Sequence, residues 1–315
     1  MPDKISNPTF DPRVHVDMAQ LRRMERHARA LSFLPKQPAR SALNGRHASK
    51  LRGRGLNFEE LRHYQQGDDI RTIDWKVTAR TGEPHVRVYT EERDRPALLL
   101  VDQRMSMFYG TVRNMKSVTA AEAAALAAWR LRIQGDRVGG LVFGNDHIAE
   151  LKPKASTVAL NQFLGILAQA NQRLHAGQDA TGPVTLNAQL EAAVRISKTG
   201  AMILVFSDFD GIDARTEKLM HRLALHNDLI LFPISDPSGA EMPDGFRIVA
   251  SDGTLQMALD TRDKATRLGL QEYLGKRLDP LLDWSRKYAI PVLPLSAAEE
   301  TLPQMLALFG ARPGR

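Results

Sequence analysis

Two short apolar runs stand out in the pattern of hydrophobic and polar positions. Leu98-Leu99-Leu100-Val101 leads straight into Asp102, followed by Gln103-Arg104-Met105-Ser106. Ala201-Met202-Ile203-Leu204-Val205-Phe206 leads in the same way into Ser207-Asp208. Unbroken apolar runs of this length suit strands buried on both faces of a parallel sheet. An acid just past the end of such a strand sits at the carboxyl edge of the sheet, where open α/β sheets place their ligands. Two strands that both end in Asp therefore predict one shared site.

The rest of the chain arranges itself around these strands. Met18, Leu21, Met24, Ala28 and Leu31 form an apolar stripe opposite Arg22, Arg23, Arg26 and Arg29, which predicts a helix over Asp17–Leu31. Ser41–Asn57, rich in Gly and basic residues, reads as loop, and Phe58–Tyr64 as one or two helical turns. Gly67–Lys76 reads as a packed surface loop. His85–Glu92 alternates like a half-buried strand, and the connector Arg93–Pro96 allows it to pair antiparallel with the Leu98 strand. Helices are predicted over Asn114–Gln134, Ser156–Ala170, Leu186–Lys198 and Arg215–His226, and strands over Arg137–Phe143, His147–Leu151 and Leu229–Ile234. That alternation argues for a parallel sheet with crossover helices. Phe246–Ala250 and Leu255–Leu259, flanking Asp252-Gly253, read as a β-hairpin insertion. A long helix over Lys264–Tyr288, a strand over Ile290–Leu293 and a helix over Ala298–Phe309 close the chain. The organisation is a tail and helix over 1–40, a basic segment over 41–96, and a doubly wound, mostly parallel α/β domain over 97–315 with its hairpin near 245–260.

Composition narrows the chemistry. The 315 residues are ample for a large core, and the absence of cysteine excludes disulfides, thiol catalysis and thiolate metal sites. No apolar run approaches the roughly 18 residues of a membrane span, and the N-terminus lacks the apolar stretch of a secretory signal. A cytoplasmic protein is expected. Residues 1–96 hold 19 Lys and Arg against 13 Asp and Glu, a net +6 out of the chain's +7. The basic excess thus precedes the sheet, as a solvated face or as a patch for an acidic partner.

Asp102, Ser106, Asp208 and Thr185, which opens the helix before the second strand, are the polar groups that could meet at the edge. Carboxylates and hydroxyls without Cys or His suit Mg²⁺ or Mn²⁺. Ser106 and Thr185 have the alternative role of capping helices. The order Asp102-x-Arg104-x-Ser106, Thr185, Ser207-Asp208 resembles the metal-ion-dependent adhesion site of von Willebrand factor A domains. That resemblance puts Asp102, Ser106, Thr185 and Asp208 on metal-ligand positions. Where the family has a second serine, this chain has Arg104. A guanidinium cannot ligate a cation, and it brings its own charge. The expectation is that Arg104 pairs with the carboxylates in place of the ion, leaving no cofactor.

A longer pattern precedes the sheet: Gly45, Arg46, His47, Ser49, Gly53, Gly55, Phe58, Leu61, Arg62, Tyr64, Gly67, Asp68, Asp69, Arg71, Ile73, Asp74, Trp75, Ala79 and Arg80. It is similar to the bacterial family catalogued as domain of unknown function 58, and Ser207-Asp208-Phe209 resembles that family's strand end. The resemblance implies a von Willebrand factor A-like fold and a MoxR-type AAA+ ATPase as partner. The function expected is therefore a non-enzymatic interaction module, an adaptor or co-chaperone docking its partner at the sheet edge. Arg104, Asp68, Asp69, Arg71, Asp74, Trp75 and Arg80 are the contact candidates, with Trp75 as an apolar anchor and Asp74 paired to Arg71 or Arg80. One alternative is a Mg²⁺-dependent hydrolase at the same edge. Against it, no motif marks a nucleophile and no Gly-rich phosphate loop precedes a helix. The other is weak, salt-sensitive nucleic-acid binding through Arg40, Arg46, Lys50, Arg52 and Arg54.

Overall fold

The computed structural model describes residues 10–31, 56–65, 73–91, 94–177, 184–197, 199–239, 247–251, 256–260 and 278–310. At its centre is a six-stranded sheet of β3 (Pro96–Asp102), β4 (Arg137–Phe143), β5 (Ile148–Lys154), β6 (Met202–Ser207), β7 (Asp228–Ser235) and β10 (Leu295–Ser296). The spatial order is β10-β7-β6-β3-β4-β5. Every neighbouring pair is parallel except β4 and β5, which form an antiparallel edge.

Period-2 alternation along the central strands shows why they are apolar throughout. Ala97, Leu99 and Val101 of β3 join one core, and Leu98 and Leu100 join the other. The first core lies under α1 (Met18–Arg23), α2 (Glu25–Ala28), α4 (Lys116–Gln134), α5 (Thr157–Arg173) and α9 (Thr301–Phe309). The second lies under α6 (Leu186–Ile196), α7 (Ala214–His226) and α8 (Leu278–Tyr288). The result is the doubly wound α/β arrangement that the alternation predicts. Helix α4 is buried almost all round, and its run of alanines lets neighbours approach closely. At Gly140 a Cβ would lie 2.5 Å from both the Leu99 carbonyl oxygen and the Phe163 ring, so β4 needs glycine there to meet β3 and α5.

Several expectations are corrected. Leu56–His63 is a strand, β1, not a pair of helical turns. It pairs antiparallel with β2 (His85–Glu91), so the partner of β2 is β1 rather than β3. The first helix breaks into α1 and α2 at Met24, and Val16, Leu21, Ala28 and Leu31 lie in the main core. Near the C-terminus, Val292 makes only an isolated bridge to Leu231, and the strand itself is Leu295–Ser296. The hairpin is present as β8 (Arg247–Ser251) and β9 (Gln256–Asp260). Of the long helix expected over Lys264–Tyr288, Leu278–Tyr288 is seen, and residues 261–277 lie outside the described residues.

Candidate functional site

The chain leaves β3 through α4, on the first face, to reach β4 on one side. It leaves β6 through α7, on the second face, to reach β7 on the other side. The carboxyl ends of β3 and β6 therefore flank the point where strand order reverses, the place where such sheets open a crevice. In register, Val101 lies beside Phe206, which sets Asp102 against Ser207 and Asp208. The Ser207 hydroxyl donates to Asp102 Oδ2 at 2.6 Å and in turn accepts from Phe209 N at 2.9 Å. Phe209 holds φ of 55° although it is not glycine. Left-handed backbone there costs of order 1–2 kcal/mol, and the strain turns the chain sharply after Asp208.

Asp102 is fully buried and completely engaged. Arg104 donates to it from its backbone N at 3.0 Å, from Nε at 3.0 and 3.1 Å, and from Nη2 at 2.7 Å. The guanidinium lies 5.9 Å from the Phe143 ring centroid and donates from Nη2 to the Asp210 carbonyl at 3.3 Å. Burial works against its charge. Asp102 first, then Asp208 and Asp210, outweigh that burial and hold its pKa above the ordinary value. The first expectation, that Arg104 pairs with a strand-end carboxylate, is matched in geometry.

Asp208 has a cation of its own. Lys116, the first residue of α4, donates from Nζ to Asp208 Oδ2 at 2.7 Å, with the two side chains only 9% and 3% exposed. Asp208 Oδ1 accepts from the Ser106 hydroxyl at 3.3 Å and from Asp210 N at 3.1 Å. Lys116 also lies 5.9 Å from the Tyr109 ring centroid. Lysine is out of place at a helix N-terminus, where the dipole disfavours a positive charge. Its ion pair with Asp208 accounts for the placement. Sequence reasoning missed Lys116, and its signal was this one basic residue opening an apolar, alanine-rich helix.

A third strand ends in the same way and was also missed. Asp236, just past β7, accepts from Thr111 N at 2.8 Å, from Thr111 Oγ1 at 2.6 Å and from Ser238 N at 3.0 Å. Burial pushes its carboxyl up, and these hydrogen bonds outweigh burial and hold it below the ordinary value. Ser238 is joined to Tyr109 across 2.9 Å, so the Asp236 cluster adjoins the Lys116 pair.

The loop between β3 and α4 is fixed from behind by a polar chain. Met105 N donates to Asn145 Oδ1, and Gln103 Nε2 donates to Ser117 O. Asn171 Nδ2 donates to Gln103 Oε1, while Asn171 Oδ1 accepts from Val16 N. Met115 N donates to Arg13 O. The segment before α1 thus braces the turn that presents Lys116.

The remaining expected site residues fall elsewhere. Thr185 is exposed, and its hydroxyl accepts from Ala188 N, the capping role. Asp74 is buried and caps α3 (Trp75–Thr81) through Lys76 N at 3.0 Å and Val77 N at 3.2 Å. Trp75, the first residue of that helix, is 69% exposed. Arg80 is exposed on the same helix. Asp68, Asp69 and Arg71 lie outside the described residues.

This donor set does not fit a divalent cation. Asp102 and Asp208, the two strong oxygen ligands a Mg²⁺ or Mn²⁺ would need, each face an internal side-chain cation, and Thr185 caps a helix. Among the described residues no cluster of three or more His, Cys, Asp or Glu side chains is arranged to hold a metal.

Fold and site together define a doubly wound α/β domain whose acidic strand ends carry their own cations. The chain belongs to the family of proteins of unknown function DUF58, whose model matches residues 60–276. Uncharacterized proteins of Mycobacterium tuberculosis and Mycobacterium bovis are each 29% identical to it over 224 residues, 71% of this chain and 69% of theirs. A solved structure of an aerotolerance-related membrane protein from Bacteroides fragilis aligns with 67% of this chain and 95% of its own, at 12% identity and a TM-score of 0.39. No helix among the described residues of this chain is long and apolar enough to cross a membrane.

Proposed function

We propose that the protein is a non-enzymatic, cytoplasmic interaction module of von Willebrand factor A-like type, an adaptor or co-chaperone for a MoxR-type AAA+ ATPase that docks at the carboxyl edge of the sheet. The observation that carries this reading is the pairing of both strand-end carboxylates with side-chain cations, Asp102 with Arg104 and Asp208 with Lys116. Metal-assisted hydrolysis needs an open coordination position to activate water, and paired carboxylates supply none. A pre-ordered, charged edge suits recognition of another surface instead. The exposed face of α3, formed by Trp75, Lys76 and Arg80, supplies a second contact of basic and aromatic character. Tryptophan and arginine are the side chains that most often dominate binding energy at interfaces.

The reading is tested by pull-down and calorimetry with a purified MoxR-type AAA+ ATPase. Asp208→Ala at the edge and Trp75→Ala on α3 are both expected to weaken the complex at least about tenfold. Trp75 is exposed, so its variant separates lost binding from lost folding. Unchanged affinity in both variants refutes the docking assignment.

A further inference from the structure

A different pair of side chains, on the β1–β2 ribbon, is arranged for chemistry that the sheet edge does not use. His63 of β1 and His85 of β2 are direct cross-strand partners. His85 spends its backbone N–H on Thr78 Oγ1 and its carbonyl on Asp74 N, while the next pair along is closed by Tyr64 N donating to Pro84 O. His63 and His85 therefore form a non-hydrogen-bonded pair, the register in which opposed side chains approach most closely. Their ring centroids are 4.4 Å apart with 42° between the planes.

Both rings are held by the same nitrogen and the same residue. His85 Nδ1 lies 2.7 Å from the Glu83 carbonyl oxygen and 3.2 Å from Thr81 Oγ1. His63 Nδ1 lies 3.2 Å from Glu83 Oε2. Donation from each Nδ1–H to an oxygen fixes the tautomer and leaves the Nε2 lone pair as the basic atom. An imidazole whose far N–H is bound to a carboxylate or a backbone carbonyl is the usual state of a metal-ligating histidine. Since both Nδ1 atoms turn to Glu83, both Nε2 atoms are directed away from it. An ion about 2.05 Å from each Nε2, with the two imidazoles cis at about 90°, places the ring centroids about 4.5 Å apart, close to the 4.4 Å seen here and in keeping with tetragonal Cu²⁺ or Ni²⁺.

We infer that His63 and His85 form a two-histidine site for an imidazole-preferring divalent cation of the zinc class, Zn²⁺, Ni²⁺ or Cu²⁺, with Glu83 orienting both rings. Water completes the coordination beyond the two ligands offered by the described residues. His63 is exposed and His85 partly so, which leaves an open path to the site. The inference is independent of the proposed partner and of the sheet edge, whose oxygen groups suit a different class of ion.

The experiment is titration of the tag-free full chain with Ni²⁺ by calorimetry, with Mg²⁺ as control, followed by Cu²⁺ electron paramagnetic resonance. One saturable Ni²⁺ per chain is expected, with no heat from Mg²⁺, and a Cu²⁺ spectrum split by two imidazole nitrogens. His63→Ala and His85→Asn should each abolish that Ni²⁺ isotherm and reduce the splitting to one nitrogen. Glu83→Gln should retain the splitting while weakening affinity by about 10–100-fold. His63 and Glu83 are exposed and His85 partly so, and unfolding midpoints close to wild type establish that the fold is kept. Absence of Ni²⁺ binding in the wild type, or an isotherm that survives both histidine variants and so reports some of the chain's other seven histidines, overturns the inference.

Discussion

Replacing Lys116 with methionine isolates the internal cation at Asp208. The substitution keeps the length of the side chain and removes its charge. It deprives Asp208 Oδ2 of a partner at 2.7 Å, at a carboxylate only 3% exposed. Asp208 Oδ1 keeps its bonds from Ser106 Oγ and Asp210 N. Breaking a buried pair from one side costs about 3–5 kcal/mol, because the surviving charge stays buried. Relieving the unfavourable ammonium at the N-terminus of α4 returns about 0.3–1 kcal/mol. The net expected loss is about 3 kcal/mol, on the order of a hundredfold in the folding equilibrium. Urea unfolding followed by fluorescence reads this directly, since Trp129 and Trp284 are buried reporters of the two cores. Adding Asp208→Asn to the same chain removes the stranded charge. The double variant should recover most of the loss, a coupling of about 2–3 kcal/mol between the positions. A single variant that loses less than about 1 kcal/mol, or a double variant equal to the sum of its singles, refutes the buried pair.

Two further outcomes follow from the same geometry. Wild type and Arg104→Ser should both fail to bind Mn²⁺, since Lys116 still occupies Asp208 in the single variant. Arg104→Ser with Lys116→Ser should bind it, as followed by calorimetry on chains checked for fold by circular dichroism, and micromolar binding by the wild type sinks the idea. Asp236 gives a pH signature: its folded pKa lies below the unfolded one, so its contribution is present above about pH 4 and is lost as pH falls through the depressed folded value. Asp236→Asn should therefore lower stability at pH 7 and flatten the acid limb below about pH 4, and unchanged limbs in urea titrations across that range would contradict the assignment.

Some of this was legible in residue order and some was not, for physical reasons that differ by element. Strands β3 and β6 announce themselves because burial on both faces demands unbroken apolar runs, and their terminal acids mark the edge. Asp236 obeys the same rule, and Leu229–Ile234 followed by Ser235-Asp236 carried the signal in full. Strand β1 hides because its register to β2 shifts between Phe58 and Glu60. A bulge inserts one residue and reverses which positions share a face, so the period-2 alternation that marks a strand is broken within β1. Trp75 stood out as a large apolar residue in a polar stretch, but its exposure was not legible. Asp74 caps the helix that Trp75 opens, and a cap is a matter of local geometry rather than of composition. His63 and His85 lie 22 positions apart, and only strand register makes them neighbours.

The sheet edge shares one construction principle across its three acidic ends. Asp102 is closed by Arg104 from the loop that follows it, Asp208 by Lys116 from the helix beyond that loop, and Asp236 by Thr111 from the same connection and by Ser238. Three strands are thus tied to one segment, residues 103–116, running from β3 into α4. That segment is in turn held by Asn145, Asn171 and Arg13 from three other parts of the chain. Side-chain cations are covalently part of the fold, so an edge neutralised by them keeps its shape without drawing an ion from solution. It also resists rearrangement, because moving the segment separates buried charges from their partners, the costliest kind of break in a protein interior. An edge built in this way has its shape already ordered, which reduces the ordering cost that binding otherwise incurs. The exposed indole of Trp75 differs in kind, since its face lies open to whatever surface covers it. The edge thus keeps a fixed shape through its buried ion pairs, whereas α3 leaves an aromatic side chain exposed.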